Sequence, residues 1–198
     1  GAYERNKEAA DTENRYILRC KNTDKICIFT DRGQMHLLKV LDLPYGKFRD
    51  KGTPIDNLSN YNSSEENLVY IAPMADIRQK KLLFGTKTAM LKLVSGAEFD
   101  VAKRTTAATK LNEGDMVLFV HPVAESDHIV MQSAKDMFLR IEAGTIPEKK
   151  KGAVGVRGMR LASGDQLEAI YLLREEDEPV SVRIKDKEVV LNRLHVAN

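Results

Sequence analysis

The sequence predicts an all-β fold built from a repeated four-stranded unit. Short apolar stretches rich in Ile, Val, Leu and Phe are interrupted roughly every 8 to 12 residues by Gly, Asn, Asp or Ser, a pattern typical of strands joined by turns. No segment carries an apolar stripe with helical spacing over several turns, so long helices are not expected. The chain also repeats itself at a period of about 50 residues, which indicates an array of similar units.

Each repeat contains a predicted hairpin, in which an apolar strand is followed by a polar turn and a second apolar strand. The hairpins are Lys25 to Val40, Lys81 to Val94, His128 to Ile141 and Val180 to Leu194.

Two further segments follow each of the first three hairpins and complete the four-stranded unit. The first of the two segments ends on a leucine. In the three repeats it is Gly52 to Leu58, Thr105 to Leu111 and Gly155 to Leu161. An acidic turn then leads to another apolar strand, predicted at Asn67 to Ala72, Met116 to His121 and Leu167 to Leu173.

The chain begins out of phase with this repeat. Arg15 to Cys20 is predicted to be the fourth strand of an incomplete unit, with Ala2 to Ala9 as its third. We expect a single repeat domain over 1–198, with units at about 1–41, 42–94, 95–141 and 142–198 and with the C-terminal end completing the array. Stacking the units around an axis covers their apolar faces, which favours a propeller-like ring or arc. An ordinary sandwich or two small barrels is the alternative.

The charges are sorted by their position in the repeat, although the net charge is only +2. Acidic residues surround the fourth strand, at Glu65 and Glu66, Glu113 and Asp115, and 175–178. Basic residues occupy the loop after the second strand and the segment that follows it. They are Lys47, Arg49, Lys51, Lys103, Arg104, Lys149, Lys150, Lys151, Arg157 and Arg160.

Basic loops at equivalent places in an array form a positive band. Such a band suits double-stranded DNA, because each contact between a cation and a phosphate releases counterions without reading the base sequence. We therefore expect binding and bending of DNA without sequence preference. The alternative for each loop is a solvated loop that keeps a β protein soluble.

Other chemistry is not indicated. The four histidines lack metal-ligand spacing, and no phosphate-binding loop or hydrolase motif is present, so we expect no cofactor and no metal. The longest apolar runs have the length of a strand, which predicts a cytoplasmic protein without a membrane partner. Cys20 and Cys27 are expected to be reduced and buried.

The segments IFTDRGQMHLLKVLDLP and GKFRDKGTPIDNL resemble a blade of the C-terminal domain of the A subunit of DNA gyrase or topoisomerase IV. The segment GAVGVRGMRLASGDQLEAIYLL is similar to the third and fourth strands of that domain. This resemblance implies a β-pinwheel, a propeller variant whose basic perimeter binds and wraps DNA.

The resemblance also implies a context and a set of residues. The chain would be a non-catalytic part, monomeric on its own, of an ATP-dependent bacterial type IIA topoisomerase. Its partners would be the B subunit together with the rest of the A subunit. The ten basic residues above are the DNA-binding candidates that the resemblance implies. A second rank, interpreted as ending the second strands, comprises Lys39, Lys92, Arg140 and Arg193.

Two departures from the family limit this interpretation. The Gln-Arg-Arg-Gly-Gly-Lys-Gly box of gyrases is absent, and the segment most similar to it is KKKGAVG at 149–155. The family usually has five or six blades, whereas about four units are predicted here. Strong chiral wrapping by this chain alone is therefore not predicted. The other functions considered are a protein-interaction propeller, whose acidic turns or apolar rim hold a partner, and an enzyme with a ligand in a central channel.

Overall fold

The computed structural model describes Glu4, residues 15–47 and residues 49–198, and it confirms the all-β prediction. Within residues 15–47 and 49–198, one short helix, α1 (Met74–Ile77), and several 3-10 turns accompany the strands. The strands in this part of the chain are β1 (Lys25–Thr30), β2 (Gln34–Lys39), β3 (Leu68–Pro73), β4 (Lys81–Thr86), β5 (Met90–Ser95), β6 (Thr105–Ala107), β7 (Val117–Val123), β8 (His128–Ser133), β9 (Phe138–Glu142), β10 (Val156–Arg157), β11 (Leu167–Leu173), β12 (Ser181–Ile184) and β13 (Lys187–Val190).

The strands form four antiparallel sheets, one around each predicted hairpin. The first sheet has the order β3-β1-β2-β6 and the second has the order β10-β5-β4-β7. The third sheet is β11-β8-β9, and β12 and β13 form a separate hairpin. All four predicted hairpins and all three predicted fourth strands are confirmed.

Each four-stranded sheet takes one strand from the following repeat. β6 follows the second hairpin in sequence, yet it pairs with β2 of the first sheet, where Met35 lies opposite Thr106. In the same way β10 follows the third hairpin and pairs with β5 of the second sheet, where Leu91 lies opposite Val156. The repeats are therefore interlocked by strands that cross from one sheet to its neighbour.

The first repeat differs from the prediction at its beginning. Gly52 to Leu58 is not a strand but contains a 3-10 turn at Ile55–Asn57, and Arg15 to Cys20 forms no strand either. The physical reason is the absence of pairing partners: β6 and β10 pair with a sheet that precedes them, and among the described residues no sheet precedes the first repeat. The predicted strand at Ala2 to Ala9 lies outside the described residues apart from Glu4.

The sheets are stacked so that the first three have apolar layers on both faces. In β1, Cys27 and Phe29 join the layer shared with the second sheet, whereas Ile26 and Ile28 face a layer that includes Val40, Ile55 and Leu58. The layer between the second and third sheets contains Leu83 of β4 and Ile129 of β8, and a fourth layer joins the third sheet to β12 and β13. Burial on both faces explains why these strands are continuously apolar in sequence.

Three phenylalanines join the first and second sheets and fix the start of the first connection between them. The ring centroid of Phe29 lies 5.1 Å from that of Phe99 and 5.9 Å from that of Phe84, in edge-to-face arrangements. Phe99 belongs to the 3-10 turn Gly96–Phe99 that follows β5. The chain that carries β6 back to the first sheet is thus anchored in the core at its first turn.

The two cysteines are both free, as predicted, but only Cys27 is buried. Cys20 is exposed because Arg15 to Cys20 is not part of a sheet, which corrects the prediction that both are buried. In the part of the chain that the structure describes, no helix is long and apolar enough to cross a membrane.

We predict that Gly155→Ala destabilises the interlocked sheets more than Gly164→Ala does. Both glycines have positive φ, +103° at Gly155 and +74° at Gly164, but only at Gly155 would a Cβ meet backbone, 2.6 Å from the carbonyl oxygen of Leu91. Gly164→Ala should cost about 1 kcal/mol for its φ alone, and Gly155→Ala roughly 2–4 kcal/mol in total. Urea unfolding of the two variants measures the difference, and equal losses would contradict the prediction.

Candidate nucleic-acid interface

Most of the basic residues in the predicted loops lie on two connections that link neighbouring sheets. We call residues 96–107 the first crossover, which runs from β5 to β6, and residues 143–157 the second crossover, which runs from β9 to β10. The first carries Lys103 and Arg104, and the second carries Arg157 and the Lys149 to Lys151 run. The cations of each crossover therefore lie where one sheet meets the next.

The loop of the first repeat and the first crossover are in contact. Arg104 Nη2 donates a hydrogen bond of 3.4 Å to the carbonyl oxygen of Leu58. Asn60 Nδ2 donates one of 3.0 Å to Thr105 Oγ1. The end of the segment that bears Lys51 is thereby joined to the segment that bears Arg104.

The first and second crossovers are also in contact. The backbone amide of Lys151 donates to Glu98 Oε1 at 3.3 Å, and Lys151 Nζ donates to the carbonyl oxygen of Glu98 at 3.2 Å and to Thr106 Oγ1 at 3.3 Å. Just beyond β6, Thr109 Oγ1 donates to the carbonyl oxygen of Ala153 at 3.2 Å. Three segments from three successive repeats thus form one continuous strip, which we call the crossover strip: residues 47 and 49–60, residues 96–110 and residues 143–160.

Nine of the ten first-rank candidates are exposed on the crossover strip. Lys151 is the exception, because its half-buried side chain is engaged by Glu98 and Thr106. The exposed residues are Lys47, Arg49, Lys51, Lys103, Arg104, Lys149, Lys150, Arg157 and Arg160.

Lys92 is not available to a ligand, which corrects its place in the second rank. It lies inside β5 rather than at its end, and it is 1% exposed. Its Nζ donates to the carbonyl oxygens of Lys150, Lys151 and Ala153 at 3.0, 3.1 and 2.7 Å. Burial lowers the pKa of Lys92 to about 8, although the negative charge of Glu98 acts in the opposite direction.

The other second-rank residues occupy three different environments. Arg140 lies within β9 and is half-buried, and its Nη1 donates to the carbonyl oxygens of Asn192 at 2.6 Å and Leu194 at 3.2 Å. Arg193 is exposed in the 3-10 turn Leu191–Arg193. Only Lys39 ends a second strand and is exposed there. The prediction placed these residues at the same position of the repeat because each of them is basic. The strand registers place them at different positions.

A cleft of about 390 Å³ opens beside the end of β2 and the first crossover. Four cationic side chains and one carboxylate, that of Asp42, are among its lining groups. The cations are Lys25, Lys39, Lys103 and Arg104.

Two basic residues of this surface were missed in the sequence. Lys25 lines the cleft and lies directly opposite Lys39 across β1 and β2, so its place follows only from the register. Lys110 is exposed beside the second crossover, where its backbone amide donates to the carbonyl oxygen of Ala153 at 3.4 Å. Lys110 precedes Leu111 as Arg160 precedes Leu161, so the repeat itself contained the signal for it.

Two residues of the predicted acidic zone are buried instead. Glu66 is 9% exposed, and its carboxylate accepts a hydrogen bond from His36 Nε2 at 2.9 Å, while His36 Nδ1 lies 2.9 Å from Thr105 Oγ1. Asp115 is 7% exposed and accepts a hydrogen bond from Thr88 Oγ1 at 2.6 Å. These carboxylates hold turns and the first crossover in place. In the described part of the chain no three His, Cys, Asp or Glu side chains gather into a possible metal site.

We predict that Lys92 makes the stability of the fold depend on pH in the alkaline range. Its pKa is about 8 in the fold against an ordinary value of 10.5, so between these values the unfolded chain binds more protons. The free energy of unfolding, relative to that of Lys92→Met, should therefore rise as the pH rises through this window, by at most about 1.4 kcal/mol per pH unit. Urea unfolding at pH 7, 8.5 and 10 tests this, and a pH-independent difference would exclude it.

The comparisons with known proteins agree with this architecture. The model of the family "DNA gyrase C-terminal domain, beta-propeller" matches residues 80–124 and 127–174. The A subunit of DNA gyrase from Lawsonia intracellularis is 30% identical over 166 residues, which cover 81% of this chain and 20% of that protein. The chain thus spans about one fifth of the length of this curated relative.

Two solved structures share the fold. The C-terminal domain of a DNA topoisomerase IV superposes with a TM-score of 0.83 at 21% identity, over 98% of this chain and 64% of the other. A DNA gyrase A C-terminal domain superposes with a TM-score of 0.59 at 20% identity, over 79% of this chain and 50% of the other. With the matched repeats, these likenesses confirm the resemblance found in the sequence: the chain is similar to the C-terminal domain of the A subunit of DNA gyrase, and it shares its fold with the C-terminal domain of DNA topoisomerase IV.

Proposed function

We propose that this chain binds double-stranded DNA without sequence preference and bends it, as the non-catalytic C-terminal domain of the A subunit of a type IIA topoisomerase. The observation that carries the proposal is the crossover strip. It brings cations from three successive repeats into one connected surface, and nine of the ten first-rank residues are exposed on it.

The strip suits a long polyanion better than a compact ligand. Phosphates recur along each DNA strand, and a row of exposed Lys and Arg side chains contacts them without reading bases. The crossovers lie at successive boundaries between sheets, so cations recur once per repeat along the array. A duplex that follows the row would be held at several points, which favours a bent path over a single point of attachment.

The wider context of the proposal comes from the relatives. Their names describe the A subunit of DNA gyrase, so the chain would act within an ATP-dependent topoisomerase, in supercoiling or decatenation. Its partners would be the ATPase B subunit together with the rest of the A subunit, in the cytoplasm at the nucleoid. We propose 1–198 as one repeat domain that is monomeric on its own and needs no cofactor.

A second candidate function is the docking of a partner protein. Large apolar side chains are exposed near the outer layer of the first sheet, among them Leu41 at 70% and Tyr45 at 98% exposure. Exposed apolar groups that lie together favour protein contacts. This function predicts that reversing the charges of the crossover strip has no effect, and that duplex DNA does not bind.

The test compares two pairs of charge reversals with the same change in net charge. Lys149→Glu with Lys150→Glu alters exposed residues of the strip, and Lys185→Glu with Lys187→Glu alters exposed residues of the β12–β13 hairpin. The first pair should lower affinity for a duplex about tenfold or more and reduce the salt slope of log K by about 2, because two phosphate contacts are lost. The second pair should have little effect. Gel-shift titrations at several salt concentrations measure both quantities.

Ligase-mediated circle closure measures bending with a duplex of about 100 base pairs, which is shorter than the persistence length of about 150 base pairs and closes poorly unless it is bent. Faster closure in the presence of the protein is the expected result. Failure of the unmodified protein to bind at low salt would refute the proposal and favour protein docking.

A further inference from the structure

We propose that Lys92 is a positioning residue for DNA binding, whose buried ammonium holds the second crossover in the shape that presents Lys149 and Lys150 to the duplex. The inference rests on the proposed function, and it assigns a role to a cation that never reaches the surface. The evidence for this role of Lys92 is the path that the second crossover takes over β5.

The second crossover forms an arch over Lys92. It is attached to β5 on one side where the amide of Lys149 donates to the carbonyl oxygen of Leu93 at 2.8 Å. It returns to β5 on the other side, where Val156 lies opposite Leu91. Lys92 stands between Leu91 and Leu93, directly under the six residues 150–155 that span the gap.

The ammonium of Lys92 is fully used by this arch. An ammonium group has three N–H donors and no acceptor, and here it makes three hydrogen bonds to the carbonyl oxygens of Lys150, Lys151 and Ala153. The ring centroid of Phe84 lies 5.5 Å from Nζ on the core side. Glu98 and the engaged side chain of Lys151 are the charged groups beside it. Burying a charge is costly without such partners, so the arch and the ammonium depend on each other.

The same place in the first sheet supports this assignment. The registers place Lys92 opposite Phe84 and His36 opposite Ile28, so both residues occupy the equivalent position of the second strand. His36 is also buried, at 4% exposure, and it also holds a crossover, through Thr105. The equivalent residue of the third sheet is Leu139, opposite Met131; a segment passes β9 there at the bridge between Arg140 and Val196, but among the described residues no strand like β6 or β10 pairs with β9. A buried polar residue therefore occurs where a crossover must be held.

When Lys92 holds the arch, Lys149 and Lys150 are already in the geometry that binds the duplex, and this favours binding. If the loop adopted that geometry only one tenth of the time, the apparent Kd would rise about tenfold. The number of phosphates contacted would stay the same, since Lys149 and Lys150 would still carry their charges. Loss of positioning therefore lowers the affinity for DNA without changing the salt slope of log K. Loss of a direct phosphate contact lowers both the affinity and the magnitude of the salt slope.

The experiment compares Lys92→Met with Lys150→Met, which each remove one positive charge from the same region. In Lys92→Met we expect the amides of Lys151 and Ala153 to lose protection from hydrogen exchange while amides of β4 keep theirs. The Kd for a duplex should rise about tenfold at an unchanged salt slope. Lys150→Met should keep the loop amides protected and lower the salt slope by about 0.9.

Two results would overturn the inference: full protection of Lys151 and Ala153 in folded Lys92→Met, or a salt slope that falls as it does in Lys150→Met. The exchange measurement needs no DNA, so it decides the role of Lys92 in the loop even if the unmodified protein fails to bind and the proposed function is wrong.

A measurement on the unmodified protein covers the case in which Lys92→Met does not fold. The carbonyl groups of Lys150, Lys151 and Ala153 accept hydrogen bonds from Nζ, so their ¹³C shifts should titrate together with a midpoint of about 8. The carbonyl of Lys149, which Nζ does not contact, is the internal control. Carbonyl shifts of Lys150, Lys151 and Ala153 that do not follow the titration of the Lys92 side chain itself, read from its own Cε resonance, would overturn the inference.

Discussion

The exchange of a strand between neighbouring repeats is the constraint on which the rest of the structure depends. β6 and β10 each complete a sheet that lies earlier in the chain, so the second and third repeats each supply an edge strand to the repeat before them. An unpaired edge leaves backbone N–H and C=O groups without partners, and the exchange satisfies them within the chain. It also requires a connection to pass over the boundary between two sheets, and the two crossovers that do so form most of the crossover strip.

The buried polar residues follow from the same constraint. A chain that leaves one sheet and joins another exposes backbone groups which neither ladder satisfies, and side chains from inside the sheets satisfy some of them. Lys92 does so for the second crossover, and His36 with Glu66 holds the first through its side chains. Charged groups are therefore found in the interior at the places where the surface carries its exposed cations. Buried structural charges and the exposed cations proposed to bind DNA lie side by side in the fold, separated only by the backbone of the crossover.

The relationship between the candidate site and the family is one of architecture more than of individual residues. The matched repeats and the shared fold agree with the repeated sheets seen here, while the basic residues differ from the glycine-rich box of gyrases. Fold alone does not determine function, so the proposal of DNA binding depends on the exposed cations and their continuity. The buried position of Lys92 and the engaged side chain of Lys151 show that the number of basic residues overstates the charge available to DNA.

Local patterns were sufficient to predict most of the strands, the hairpins, the repeat and the basic loops, because strand propensity, turn residues and charge are properties of short segments. Phe29 and Phe84 lie in apolar stretches that were predicted as strands for this reason, and Lys149 and Lys150 in a predicted basic loop. The local patterns failed at Arg15 to Cys20 and Gly52 to Leu58, which form no strand. Which sheet each strand joins was decided only in the tertiary structure, because the pairing of β6 with β2 links residues about 70 positions apart. A similar distance in sequence hid the partners of Lys92, whose charge indicated a surface residue although the second crossover closes over it.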